Sequence, residues 1–267
     1  MKKYFAITAI AATTALLAGN AMAQSAPAPA AAPDPGPVTA NVTLASEYRY
    51  RGISQSNFKP AIQGGFDYAH ESGFYIGNWN SSISWIADSY TPASTGSQIS
   101  SQIEMDFYAG FKKEIAKDTT LDLGLLQYYY PTSGAAYSAS MVNPNSTEAY
   151  VALSYQFVTL KYSYSLTDLF GNANTKGSSY IDLSANYDTG VEGITLNAHA
   201  GYQKYANASN LSYTDWKLGL TKDLGKGLSI SAAYIGTNAD GNQSFYQSPN
   251  SSNLGKSTAV LSLTKTF

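Results

Sequence analysis

The chain has 267 residues, no cysteine, two histidines and a formal net charge of −2. The lack of cysteine excludes a disulfide scaffold and a thiolate metal site. With 16 basic against 18 acidic residues there is no basic excess, so a nucleic-acid-binding surface is excluded as well. The mean hydropathy of −0.20 is low for a protein built of membrane helices. It is compatible with membrane strands that carry polar side chains at alternate positions.

The first residues have the pattern of a secretory signal peptide. Lys2 and Lys3 precede an apolar run at residues 5–17, and a small-residue cleavage site ends at Ala23. A membrane anchor is the alternative, disfavoured because the run is shorter than the roughly 20 residues that a spanning helix needs. The residues that follow are rich in Ala and Pro, which is typical of a tether. The predicted organisation is a signal peptide at 1–23, a periplasmic tether at 24–39 and a β-barrel at 40–267.

Apolar and polar residues alternate along the remainder of the chain. In the clearest segment the odd positions carry Ile103, Met105, Phe107, Ala109 and Phe111. Such alternation gives a strand one face for lipid and one for water. Twelve strands are predicted, at 40–51, 60–70, 74–85, 101–112, 119–130, 147–157, 158–166, 179–187, 194–205, 213–222, 228–237 and 256–267. This even number, together with the export signal, predicts an all-β fold, a transmembrane antiparallel up-and-down barrel. A soluble β-sandwich is the alternative for any single strand.

The connections between the predicted strands alternate in length. Those after odd-numbered strands are mostly long, at 87–100, 131–146, 167–178 and 238–255, and those after even-numbered strands are short, as at 71–73, 188–193 and 223–227. Outer-membrane barrels have long loops outside and short turns in the periplasm. Two details bear on the predicted strands. Leu125 and Leu126 break the alternation and predict a bulge, and the join at Phe157 and Val158 lacks a turn residue, so ten strands are the alternative.

Aromatic residues add two expectations. The 22 tyrosines suit aromatic girdles at the membrane interfaces. The terminal Phe267 resembles the signal by which the barrel assembly machinery recognises its substrates, and Lys265 departs from that signal at a position where a second aromatic is common. We therefore expect that machinery and the lipid of the outer membrane to be partners of this chain.

Several segments resemble the TorF family of porins. They are SEYRYRGISQ at Ser46–Gln55, PAIQG at Pro60–Gly64, SGFYIGNW at Ser72–Trp79 and KYSYS at Lys161–Ser165. The resemblance is specific over the first three predicted strands and weaker over the remainder of the mature chain. It implies a proteobacterial outer-membrane barrel of porin type, and it implies neither a substrate nor catalytic residues.

Projecting the strand phases inward gives a candidate pore lining. Most strand charges share the inward face, as expected because an Arg or Lys on the lipid face near the midplane costs about 2 to 4 kcal/mol. The candidate pore-lining residues are Glu47, Arg49, Arg51, Asp67, Glu104, Asp106, Lys112, Glu148, Lys161, Asp182, His199, Asp215 and Lys217. They either line an open channel or pair across a closed lumen. Twelve strands lie between filled eight-stranded barrels and open sixteen-stranded ones, so strand number does not decide.

The first predicted strand carries charge at every second position. Glu47, Arg49 and Arg51 form an inward row, and Tyr48 and Tyr50 are predicted to face lipid. The row is either a constriction of mixed charge that sets ion preference, or a set in which Glu47 neutralises one arginine. Both interpretations are open at this point.

An enzymatic function is disfavoured. A lipid-hydrolysing barrel needs a serine and a histidine within hydrogen-bond reach, whereas His70 lies beside a turn and His199 lies on the inward face with no serine two residues away. Two scattered histidines make no metal site. We expect no catalytic residues, no metal and no cofactor, and predict a passive porin for small hydrophilic solutes. A non-conducting barrel that acts in adhesion or envelope structure, through the loops at 92–100 and 238–253, is the alternative.

Overall fold

The computed structural model describes residues 37–90, 101–131 and 142–267. The predicted signal peptide, and the predicted tether up to residue 36, lie outside these ranges. The barrel strands are β1 Val38–Ala45, β4 Ala61–Ala69, β5 Phe74–Ser82, β6 Ile103–Ala116, β7 Thr119–Tyr129, β8 Ser146–Tyr155, β9 Val158–Ser165, β10 Ser179–Asp188, β11 Ile194–Lys204, β12 Tyr213–Gly225, β13 Leu228–Thr237 and β14 Thr258–Thr266. The other elements are the two-residue strands β2 Arg49–Tyr50 and β3 Ile53–Ser54, helix α1 Trp85–Tyr90, and 3₁₀ turns at Ser209–Leu211 and Ser244–Tyr246. Among the described residues, no helix is long and apolar enough to cross a membrane.

The twelve barrel strands form one closed antiparallel sheet. Each strand pairs with its neighbours in the chain, and β1 pairs both with β4 and with the last strand, β14. The closing register joins Asn41 to Thr266 and Ala45 to Ser262. The predicted twelve-stranded barrel is therefore confirmed.

Side chains along the barrel strands alternate between the outside and the interior. On β10, Ile181 and Leu183 are exposed, whereas Asp182 between them is buried. The exposed side chains of the other strands are also mostly apolar, among them Val42, Leu44, Phe107, Val151, Leu153, Leu218, Ile230 and Leu261. An apolar outer surface of this kind is what a lipid environment requires.

Five connections of two to five residues lie at one rim of the barrel. The beginning of β1 and the end of β14 lie at the same rim. The turn between β8 and β9 consists of Gln156 and Phe157, and the register pairs Tyr155 with Val158. Gln156 has a φ of 50°, so a residue other than Gly, Asn or Asp supplies the left-handed turn conformation. The ten-strand alternative is therefore wrong.

The predicted bulge at Leu125 and Leu126 is also wrong. The pairing of β6 with β7 runs without interruption through this point, and its irregularity lies between Glu114 and Ala116. Leu125 is exposed on the outside and Leu126 is buried inside. The alternation therefore continues, and it is hidden in the sequence because an apolar side chain stands at an inward position.

Tyrosine fills the interior as well as the exterior. Eleven tyrosines are buried, including Tyr48, Tyr128 and Tyr246, and eight are exposed. The expectation that tyrosine mainly forms girdles is therefore wrong for half of them. A phenol can pack its ring and still donate its hydroxyl to a buried acid, which suits it to a polar barrel interior.

Candidate functional site

The chain leaves the barrel wall after β1 and folds into the lumen. The predicted first strand, 40–51, ends at Ala45, and residues 46–58 form a segment that we call the inner hairpin. Its core is the pairing of Arg49 with Ser54 and of Tyr50 with Ile53. Residues 47–54 are all buried. The predicted row on the wall is therefore wrong in its location, and so is the prediction that Tyr48 and Tyr50 face lipid.

The tip of the inner hairpin explains why the strand stops. Arg51 and Gly52 both have positive φ, 45° and 77°, as a two-residue turn of type I′ requires. Gly52 lies so close to β12 and β13 that a Cβ there would overlap Asp215 and Thr237. Residues 47–51 place a charge on one face and a tyrosine on the other, so neither face offers the aliphatic surface of the other strands.

Arg51 is the central contact of the hairpin with the barrel wall. Its Nη1 and Nη2 donate to Oε1 and Oε2 of Glu148 at 3.1 and 2.7 Å, and Nη1 also donates to Oε1 of Gln203 at 2.6 Å. The guanidinium lies over the ring of Tyr180, 4.1 Å from its centre. Because Glu148 is on β8 and Gln203 on β11, this one side chain ties the hairpin to two parts of the wall.

Arg49 and Glu47 pair within the hairpin. Arg49 Nε lies 2.8 Å from Glu47 Oε1. The Arg49 Nη1 donates to the carbonyl oxygens of Gly52 and Leu254 at 2.8 and 2.9 Å. Each arginine of the hairpin therefore has its own acid, and the interpretation in which Glu47 neutralises one arginine describes the arrangement.

His199, on β11, lies between two carboxylates. Its Nδ1 is 2.6 Å from Asp182 Oδ2, and its Nε2 is 2.6 Å from Asp215 Oδ2. Tyr180 donates its hydroxyl proton to Asp215 at 3.0 Å. An imidazole whose two nitrogens both face carboxylate oxygens carries two protons and a positive charge. This arrangement stabilises two neighbouring acids.

Tyrosine hydroxyls satisfy further acids of the lumen. Tyr108 donates to Asp67 at 2.5 Å, and Tyr75 donates to Asp122 at 2.6 Å. Asp122 is absent from the predicted set because the phase of its strand was obscured by Leu126. Its register partner across β6 and β7 is Lys112, a charge pair at matching positions, and this is the signal that could have identified it.

The three predicted lysines lie on the inward face and are only half-buried. Lys112, Lys161 and Lys217 keep contact with solvent, whereas the acids around them are mostly buried. The ammonium of Lys161 lies 4.3 Å from the centre of the Tyr150 ring. The three lysine side chains are therefore less enclosed than the acids of the lumen.

The remaining predicted residues, Glu104 and Asp106, lie at consecutive inward positions of β6. Tyr48 donates to Glu104 Oε1 at 2.5 Å, and Tyr130 donates to Glu104 Oε2 at 2.8 Å. Asp106 is fully buried, and neither of its carboxylate oxygens has a hydrogen-bond partner among the described residues. Thus all thirteen predicted residues lie in the interior, ten of them buried and the three lysines half-buried.

The other histidine, His70, lies in the short turn between β4 and β5. Its Nδ1 is 2.7 Å from the hydroxyl of Ser72, and both residues are exposed. The backbone N–H of Ser72 also donates to this ring nitrogen, at 3.2 Å. The contact therefore stabilises the turn. Within 37–90, 101–131 and 142–267, no three His, Asp or Glu side chains are grouped so that they could hold a metal ion.

A family profile matches the whole of this barrel. The profile of the family described as "Bacterial protein of unknown function (Gcw_chp)" matches residues 29–267. The chain belongs to the Gcw_chp family. No curated protein matches the sequence.

Solved structures show the same architecture at low sequence identity. The KdgM porin is similar with a TM-score of 0.51 and 8% identity, covering 86% of this chain and 99% of that chain. The NanC porin is similar with a TM-score of 0.51 and 11% identity, covering 85% of this chain and 98% of that chain. The Gcw_chp chain thus has a porin-like fold. A closed antiparallel barrel with an apolar exterior is a structure of the bacterial outer membrane, and that is where this protein lies.

Proposed function

We propose that this protein is a porin for the passive diffusion of small hydrophilic solutes, with the inner hairpin as its constriction. The observation that carries the proposal is the placement of Arg51 and its neighbours. A charged and hydrogen-bonded segment, not an apolar plug, occupies the lumen near the long-loop rim. Charged side chains at the narrowest part of a pore set which solutes pass.

The interior below the inner hairpin also suits polar solutes. Its wall carries pairs of hydroxyls and amides, such as Thr43 with Thr264 at 2.8 Å and Ser231 with Ser262 at 2.6 Å. The partial exposure of Lys161 supports a polar, accessible interior. We propose that the thirteen predicted charged residues, together with Asp122, line the solute path.

The segment that carries the resemblance to the TorF family supports the same proposal. Ser46–Gln55 makes up most of the inner hairpin. A family resemblance centred on a constriction is expected if its members share a pore. We propose that, within the Gcw_chp family, this chain is a porin of the TorF type and has no enzymatic activity.

The test is the conductance of the refolded mature protein in planar lipid bilayers. We expect discrete channel steps for the wild type. A variant with residues 47–54 replaced by a short Gly/Ser linker should give larger steps, because the constriction is removed. Lys59→Gln, an exposed change in the same connection, serves as the control and should conduct like the wild type.

A non-conducting barrel is the second candidate, and the dense pairing around Arg51 favours it. Silence of the wild type together with conductance of the linker variant would mean that the inner hairpin closes the pore. Silence of both, with folded protein in the membrane, would support the role in adhesion or envelope structure.

A further inference from the structure

Glu104 and Asp106 form an acid pair near the long-loop rim. Both carboxylates are almost fully buried, at 2% and 0% exposure. The two hydroxyls that donate to Glu104, from Tyr48 and Tyr130, stabilise a negative charge there. Burial and these neighbouring acids raise the pKa of Tyr48 well above its usual value, so its hydroxyl keeps its proton and remains a donor.

Among the residues that the structure describes, no Lys, Arg or His side chain forms an ion pair with Glu104 or Asp106. Arg51 is engaged by Glu148 and Arg49 by Glu47, and His199 is held between its two aspartates. The sequence at 91–100 and 132–141 contains no Lys, Arg or His. A cation from solution can therefore supply the counter-charge for these two acids. A buried carboxylate without a hydrogen bond is costly, so such a counter-charge would bind with a gain in free energy.

A cavity of about 40 Å³ lies directly against Glu104. It has room for about three water-sized groups, since one water needs roughly 10–15 Å³. Glu104 is the one ionisable acid or base in its lining, which is otherwise mostly aromatic. The aromatic side chains are Tyr50, Trp85, Tyr128, Tyr130, Phe170, Tyr205, Tyr213, Phe245 and Tyr246.

Aromatic faces and carboxylates select the same kind of ligand. The π-face of an aromatic ring attracts cations, most strongly where water is excluded. The rings also exclude water from the alkyl part of a ligand. An anion would be repelled by the acid pair, and a neutral solute would leave it uncompensated. A metal ion is disfavoured, since no group of three metal-ligating side chains exists among the described residues.

We infer that this cavity binds a small organic ammonium group, a primary alkylammonium of two or three heavy atoms, with its charge against Glu104. Asp106, two residues further along β6, adds to the negative potential at the cavity. The ligand can be a free amine or the terminus of a longer amine or amino compound. The site lies between the inner hairpin and the long-loop rim. It is therefore on the path of solutes entering from outside the cell, but binding does not depend on whether the barrel conducts.

The experiment is isothermal titration of the refolded mature protein in detergent with ethylammonium, at constant ionic strength in sodium buffer. Ethanol and acetate are the neutral and anionic ligands of similar size. We expect saturable binding of ethylammonium and no binding of ethanol or acetate. The double variant E104Q/D106N should weaken it by about tenfold or more, as expected from the loss of one ion pair or more. Glu71→Gln, an exposed acid in a short turn, is the matched control and should bind like the wild type.

Two further readouts separate the outcomes. Circular dichroism and gel mobility before and after boiling establish that E104Q/D106N is folded. Ethylammonium binding that survives in the folded double variant would overturn the inference, and so would equal binding of ethanol. Absence of binding in the wild type would overturn it too, and would mean that the two acids are kept neutral by protons. Binding without channel activity would leave this inference standing and count against the porin proposal alone.

Discussion

Arg51 and Glu148 are joined by two parallel contacts, Nη1 to Oε1 at 3.1 Å and Nη2 to Oε2 at 2.7 Å. The pair connects the tip of the inner hairpin with the beginning of β8, and both side chains are buried. Bidentate pairs of this kind fix orientation as well as distance. This contact therefore fixes the tip of the inner hairpin against the barrel wall.

Breaking this pair should loosen the inner hairpin. Arg51→Gln leaves Glu148 buried without its cation, and loss of one partner of a buried pair costs roughly 3 to 5 kcal/mol. We expect lower stability and more frequent transitions to a larger conductance in single-channel records. The exchanged variant R51E/E148R should recover part of both. Identical records for wild type and Arg51→Gln would show that the hairpin is held by its other contacts.

The charges of the hairpin should set the ion preference. Arg49 and Arg51 are each matched by one acid, so the double change R49E/R51E turns two neutral pairs into four acids. Reversal potentials measured in a salt gradient should move clearly towards cation preference. A potential that does not move would mean that ions pass the hairpin at a distance from both arginines.

Neighbouring residues of β6 should tolerate arginine very differently. Phe107 is on the lipid face, and Phe107→Arg should lower the free energy of unfolding by about 2 to 4 kcal/mol if it lies near the membrane midplane. Tyr108 points inward and contacts Asp67, so Tyr108→Arg can form an ion pair and should be mild. Urea titration of both variants in lipid vesicles measures the difference. Equal losses would contradict the assignment of the two faces.

Removal of the imidazole from the interior should destabilise the barrel. His199→Ala leaves Asp182 and Asp215 facing each other without the positive charge between them. We expect a loss of roughly 3 kcal/mol or more in the free energy of unfolding, as for other buried charges that lose their partner. His70→Ala, in an exposed turn, removes the other histidine and should leave stability unchanged. If the two variants unfold alike, the contacts of His199 contribute little.

The terminal aromatic should matter for assembly. Phe267 is exposed at the short-turn rim, and its N–H donates to the carbonyl of Ala40 at 2.8 Å. We expect Phe267→Ala to slow the appearance of folded barrel in pulse-chase experiments. Phe157→Ala, an exposed aromatic in a turn of the same rim, is the control. Similar delays in both would mean that Phe267 acts as one more lipid-facing side chain.

The barrel could be predicted from the sequence because its signal is local. An apolar residue at every second position indicates that one face of the strand contacts lipid and the other faces the polar interior. The inner hairpin could not be predicted, because residues 46–51 keep a period of two while both of their faces are polar or aromatic. A period of two alone does not distinguish a strand of the barrel wall from a strand inside the lumen. Asp122 was missed for the opposite reason, since Leu126 places an apolar side chain on the inward face.

The inner hairpin is attached at the seam where the first and last strands meet. The N–H of Ser46 donates to Leu261 at 2.8 Å and that of Ser54 donates to Leu254 at 3.0 Å, in and beside the last strand. These partners are synthesised some two hundred residues after the hairpin itself. The hairpin can therefore reach its final position only when the sheet has closed. Closure of the barrel and placement of the hairpin are therefore completed by the same last strand.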